Sequence, residues 1–209
     1  MASVLITGGA SGLGRAMAIH FAKKGYDIAL HYFSSNEKEI IEQILSFGVK
    51  CKAYYADLTA NDIDFFDQVA NDFSDLSILI NNASIFDKTK YLDMLANNYE
   101  QCFNIHVKNP LFLSQKFAKI TNGKIIINIS DALAEKIDTK LFIHAFSKNA
   151  MLQMTKMLSK EFAPRIRVNA ICPGYIYDKG ENNATEDDVL AAIDYLILSK
   201  HITAEILHI

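Results

Sequence analysis

Short apolar runs alternate with helical patterns along the whole of this 209-residue chain. The apolar runs lie near 3–7, 27–32, 50–55, 77–81, 124–129, 165–171 and 204–208. They predict strands buried on both faces. Between them the pattern predicts helices over 12–24, 36–47, 61–73, 96–118, 142–162 and 186–199. Local punctuation agrees. Gly25 and Gly48 fit the position just past a helix end, Asn36 can cap the second helix, and Pro164 stops the helix that begins near 142. Strict alternation of strand and helix predicts an α/β fold, a doubly wound parallel seven-stranded sheet with helices on both faces. Right-handed crossovers then order the strands 3-2-1-4-5-6-7. No repeat, low-complexity tract or linker divides the chain, so residues 1–209 are expected to form a single domain.

Composition narrows the classes. Half of the residues are hydrophobic, enough for one well-buried core, and the net charge is −3. No Lys/Arg run favours a nucleic-acid surface, and no apolar stretch reaches membrane-spanning length. The N-terminal residues read as a first strand and not as a signal peptide. Cys51, Cys102 and Cys172 are far apart and lack metal-ligand spacing. The expectation is reduced thiols in a cytoplasmic protein without a metal centre. Tryptophan is absent.

The chemistry begins at Thr7-Gly8-Gly9-Ala10-Ser11-Gly12-Leu13-Gly14, between the first strand and the first helix. Glycines there let the backbone approach a pyrophosphate, and the helix N-terminus offers free N–H groups. The alternative is a glycine-rich turn without a ligand. The second strand ends at His31-Tyr32 without the acid that would take a ribose 2′-hydroxyl. With Ser34 and Ser35 following, and Arg15 or Lys38 as a source of positive charge, this favours NADP(H) over NAD(H). Equally, the serines can simply begin the next helix. Asp57-Leu58 ends the third strand, where an adenine can be recognised or an Asp can cap a helix. Asn82-Ala83-Ser84, with Asn81, ends the fourth; the amides can tie strand ends together and line a crevice, or form an Asx turn.

Together these residues resemble the short-chain dehydrogenase/reductase family. The likeness rests on the Thr-Gly-x-x-x-Gly-x-Gly run at 7–14, Asn-Asn-Ala at 81–83, Ser-Lys-Asn at 147–149 (read with position 144) and Pro173-Gly174. It covers essentially the whole chain. It implies a Rossmann-type reductase, usually a homodimer or homotetramer built through its two long central helices. It also implies cofactor contacts at the glycine run, Tyr32, Ile129, Lys148, Pro173, Gly174 and Ile176. Finer features resemble the pteridine reductases, in particular bacterial dihydromonapterin reductases. These are Asn-Ala-Ser at 82–84, His106 where most of the family carry Asn, and Asp131 in place of Ser. The family's Tyr-x-x-x-Lys pair reads His144-x-x-x-Lys148. The segment after Pro173-Gly174 is short, so the roof of the site is expected to be reduced or borrowed from a neighbouring subunit.

Hydride transfer leaves negative charge on the substrate heteroatom, and a positioned acid must quench it. Four residues apart on a helix, His144 and Lys148 share a face. Imidazole can serve as the acid, but it is shorter than a phenol; Asp131 or a bridging water would close the gap. The candidate catalytic residues are Asp131, His144, Lys148 and His106. Against these stand a turn-capping Asp131, a solvated Lys148 and a buried, hydrogen-bonded His106. Tyr175 and Tyr177 either line the pocket or are ordinary loop aromatics. The leading expectation is an NADPH-dependent reductase of a small pterin-like molecule. The alternatives are a catalytically impaired NADP(H)-binding protein, acting as sensor or oligomer partner, and a general carbonyl or 3-oxoacyl reductase.

Overall fold

A computed structural model describes residues 2–60, 62–120, 122–136, 139–174, 176 and 184–209. Seven parallel strands form one sheet in the order β3-β2-β1-β4-β5-β6-β7. They are β1 Ser3–Ile6, β2 Asp27–Tyr32, β3 Cys51–Tyr55, β4 Leu76–Asn81, β5 Ile125–Ile129, β6 Arg167–Cys172 and β7 Ile206–His208. The helices are α1 Gly12–Lys23, α2 Lys38–Leu45, α3 Phe65–Asp72, α4 Ala96–Phe103, α5 Asn109–Lys119, α6 Phe142–Phe162 and α7 Glu186–Leu198. Alternate residues of each strand feed opposite layers. Val4 and Ile6 pack with α1, α2 and α7, whereas Leu5 packs with α3, α5 and α6. Both faces being covered, β4 and β5 are buried at every position, which explains their mostly apolar sequences.

The main departure from expectation is the helix predicted over 96–118. It is split by a π turn, Asn104–Lys108. Pro110 has no N–H for the carbonyl four residues back, at His106, and its ring crowds that carbonyl. The turn drives His106 into the interior, where it is fully buried. Other corrections are shorter. The third helix begins at Phe65, not 61, so Asp57 does not cap it; its carboxylate accepts from Thr59 N and Oγ1 in an Asx turn. Strand β7 is confined to 206–208. Asn36 does not cap the second helix: Glu37 takes the N-cap without a side-chain cap, and Asn36, one residue earlier, accepts from Lys38 N at 3.1 Å in an Asx turn.

Strand order reverses between β1's two neighbours, β2 and β4. The carboxyl ends of strands flanking such a reversal leave a crevice. Buried amides hold the neighbouring strand ends together. Asn81 and Asn128 are register partners, joined Nδ2 to Oδ1 at 2.8 Å, and Asn128 donates on to Thr155 of α6.

Candidate active site

The crevice is a cleft of about 560 Å³. Its wall begins with Gly8, Ser11, Gly12, Leu13 and Gly14, continues through Tyr32, Ser34 and Ser35, then Asp57 and Leu58, and closes on Asn82, Ala83 and Ser84. Those cofactor candidates are therefore brought together. Gly8 has φ +64°, and an added Cβ there would lie 3.1 Å from Ala83 Cα. At Gly14 a Cβ would meet Gly8 O at 2.1 Å and Asn82 Nδ2 at 2.7 Å. Ser11 makes no side-chain cap to α1, so the first-turn N–H groups are left open toward the cleft. A glycine cradle and an uncapped helix end suit a dinucleotide pyrophosphate.

The remaining candidates do not line this cleft. Thr7 is buried, and its hydroxyl accepts from Asn82 N at 2.8 Å and Ala83 N at 3.0 Å. Ile129 offers its carbonyl to Lys148. Pro173 accepts from Ala132 N, Gly174 donates to Ile209 O, and Ile176 packs on the first core cluster. Tyr175 and Tyr177, with most of the shortened roof, lie outside the described residues. Arg15 donates to Glu39 at 2.6 Å and Gln43 at 3.2 Å, so a carboxylate already holds one of the two cations expected near a 2′-phosphate.

Sequence reasoning missed His31, Phe33, Thr59, Ile85 and Ile105 in this wall. His31 organises the loop. Its Nδ1 accepts from Gly8 N at 3.0 Å, and its Nε2 hydrogen points to Ala56 O at 3.1 Å. Burial pushes its pKa down to about 4, against the raising effect of the Ala56 carbonyl. The available signal was a histidine in an otherwise apolar strand, since a buried polar side chain needs specific partners.

Asp131, His144 and Lys148 come together at the ends of β5 and α6. His144 is 2% exposed. Its Nδ1 lies 3.1 Å from Ile85 O and its Nε2 3.3 Å from Asp131 Oδ2. A carbonyl only accepts, so Nδ1 carries hydrogen, and Nε2 is left facing the carboxylate. Asp131 also accepts from Leu133 N at 2.7 Å. Burial pushes its carboxyl up, but the His144 and Leu133 hydrogen bonds and the His144 and Lys148 charges outweigh it and hold it below the ordinary range. The carboxylate form of Asp131 is thereby favoured. Turn cap and proton partner are thus compatible roles of one side chain. Lys148 is buried and donates to Ile129 O at 2.9 Å; burial lowers it to about 8, with Asp131 opposing. His106 lies behind, bonded to Ser84 and Ser147. Phe86, about half exposed, sets its ring 4.8 Å from that of His144 in an edge-on contact.

Sheet order, cleft and buried Lys148 define a nucleotide-dependent oxidoreductase scaffold, and residues 2–188 match the short chain dehydrogenase family. The chain belongs to that family. It is 31% identical over 179 residues to 2-dehydro-3-deoxy-D-gluconate 5-dehydrogenase of Dickeya dadantii, covering 82% of this chain and 70% of that protein. Among solved structures it resembles FolM alternative dihydrofolate reductase 1 from Brucella suis in complex with NADP. That likeness has a TM-score of 0.93 at 27% identity and covers 99% of this chain and 92% of the other. A short chain dehydrogenase from Burkholderia cenocepacia in complex with NADP is similar at TM-score 0.92 and 28% identity, covering 100% and 96%.

Proposed function

We propose that this chain is an NADPH-dependent reductase of a dihydropterin-like heterocycle, with His144 in the family's tyrosine position. The observation that carries the reading is the His144–Asp131 pair, which sets Nε2 3.3 Å from a carboxylate on the helical face shared with Lys148. The likeness to an NADP-bound alternative dihydrofolate reductase supports the substrate class. The exposed ring of Phe86 beside His144 supports a flat substrate. Cofactor choice follows from Ser34 and Ser35 in the cleft and from the absence of an acid at the end of β2.

When bound, the nicotinamide supplies a hydride. Lys148 would hold its ribose, and its buried ammonium favours the Asp131 carboxylate. Asp131 keeps a proton on His144 Nε2, and that proton passes to the reduced heteroatom directly or through water. The protein works as a cytoplasmic homodimer or homotetramer. Apolar side chains left exposed on α4, α5 and α6, among them Tyr99, Phe112, Phe146 and Met157, support the association.

A second reading, a cofactor-binding protein without turnover, is favoured by one observation. Both ring nitrogens of the buried His144 already face protein oxygens. The test is NADPH oxidation with dihydromonapterin, dihydrobiopterin, dihydrofolate and a 3-oxoacyl thioester, beside His144→Tyr. Turnover of a dihydropterin by the unaltered protein is expected. Activity appearing only in the variant would move the weight to the binding protein, and consumption with the thioester alone would mark an acyl reductase.

A further inference from the structure

Two histidines close on one residue of the loop after β4. His144 gives its Nδ1 hydrogen to the Ile85 carbonyl at 3.1 Å. The Ile85 N–H lies 3.4 Å from Nε2 of His106. The two rings are perpendicular, 89°, with centroids 5.4 Å apart. His106 is fully buried in the π turn. Burial, with the charges of Lys148 and His144, keeps it well below its ordinary pKa, so its ring is neutral.

A neutral imidazole has one N–H, and the neighbours decide where it sits. Ser147 Oγ donates to the His144 carbonyl at 2.9 Å. Its hydrogen is therefore spent, and it accepts from His106 Nδ1 at 2.8 Å. That leaves Nε2 of His106 as the acceptor, 2.8 Å from Ser84 Oγ and facing Ile85 N–H. The chain Ser84, His106, Ser147 ends on a backbone carbonyl. It cannot hand a proton to the His144 ring, so its effect on that ring is geometric. Both ends of the chain border His144: one holds Ser84 and the N–H of Ile85, the residue whose carbonyl receives the Nδ1 hydrogen, and the other fixes the backbone of His144 itself.

We propose that His106 is a positioning residue that selects the ring state of His144. It locks Ser84 and Ile85 against the first turn of α6, so that the Ile85 carbonyl takes the Nδ1 hydrogen and only Nε2, facing Asp131, exchanges a proton. The consequence for catalysis rests on the reductase reading above; the consequence for the ring state does not. Without the lock, the Ile85 carbonyl drifts and both neutral tautomers of His144 become populated.

The test is the pair of ring-nitrogen chemical shifts of His144, followed through its titration in histidine-labelled protein and assigned by their loss in His144→Gln. The variants are His106→Gln, which restores an acceptor near the Nε2 position, and His106→Phe, which fills the space without one. The wild type and His106→Gln should show a single neutral tautomer, protonated at Nδ1. His106→Phe should show a mixture, with kcat on dihydropterin down on the order of 10²-fold and KM for NADPH unchanged, as expected for ångström-scale misplacement. A wild-type ring state in His106→Phe, or a mixture in His106→Gln as large as in His106→Phe, overturns the proposal. If His106→Phe does not fold, Ser147→Ala removes the acceptor of the His106 Nδ1 hydrogen and should also yield mixed tautomers; an unchanged ring state there overturns the proposal equally. Absence of turnover in the wild type would sink the reductase reading, and the shifts would still decide the role of His106.

Discussion

The two ends of the site are built differently. The nucleotide end, from β1 to β3, is mostly backbone: glycines at the turn, the open first turn of α1 and strand ends tied by Thr7 and Asn82. The chemical end, from β4 to β6, is a buried polar network in which Asp131, His144, Lys148 and His106 are held by carbonyls and hydroxyls of one another's segments. Backbone sites depend on space and conformation, so steric changes harm them most. Networks depend on protons and partners, so isosteric changes of charge harm them most.

That contrast can be broken at graded cost. Gly14→Ala should be the most damaging at the nucleotide end, because its Cβ would sit 2.1 Å from Gly8 O. An overpacking cost of about 2–3 kcal/mol corresponds to roughly 30–150-fold weaker NADPH binding, measured by titration. At the chemical end, Lys148→Met should weaken NADPH binding about tenfold through a lost charge-assisted hydrogen bond, yet stabilise the fold. Lys148 falls from 10.5 to about 8 on burial. Between those values the unfolded chain binds the extra proton, so stability rises with pH and the buried ammonium is a cost at neutrality. Removing it should add about 1–3 kcal/mol near neutral pH, read by urea unfolding, and the gain should shrink as pH climbs through that window.

His31→Phe tests how far the loop depends on the side-chain clamp at Gly8 N. Losing the Gly8 and Ala56 bonds should cost about 1–2 kcal/mol at pH 7 and roughly fivefold in NADPH affinity. His31 is held neutral, at about 4 against an ordinary 6.5. Its contribution is therefore present above 6.5 and lost as pH falls toward 4, since only the unfolded chain takes up the proton there. The variant's unfolding free energy should depend less steeply on pH across that interval. Glu39→Gln should have the smallest effect. Releasing Arg15 from a partly exposed ion pair should improve NADPH affinity about two- to threefold and leave NADH unchanged, because such pairs are weak.

The same contrast governed what could be read in advance. Strand order, the glycine turn, Ser34, Ser35 and Asn82 were legible because periodicity and turn chemistry are local. The meeting of His144 with Asp131 and Lys148 was legible from helical spacing and family likeness. The part played by Ile85 was not, because a peptide N–H and C=O carry no residue signature. The π turn was foreshadowed only by Pro110, and the burial of His106 follows from that turn. His31 stood in plain view as a polar residue in an apolar strand, but its partner, Gly8 N, becomes apparent only once the loop is folded.

The most direct test is the pH dependence of kcat for NADPH-driven dihydropterin reduction, in the wild type and in Asp131→Asn. If the His144–Asp131 pair supplies the proton, the wild-type rate should fall along one titration limb as pH rises. Asp131→Asn should shift that limb toward acid and lower the plateau on the order of 10²-fold. Coincident profiles, or a wild-type rate that ignores pH, would contradict the assignment.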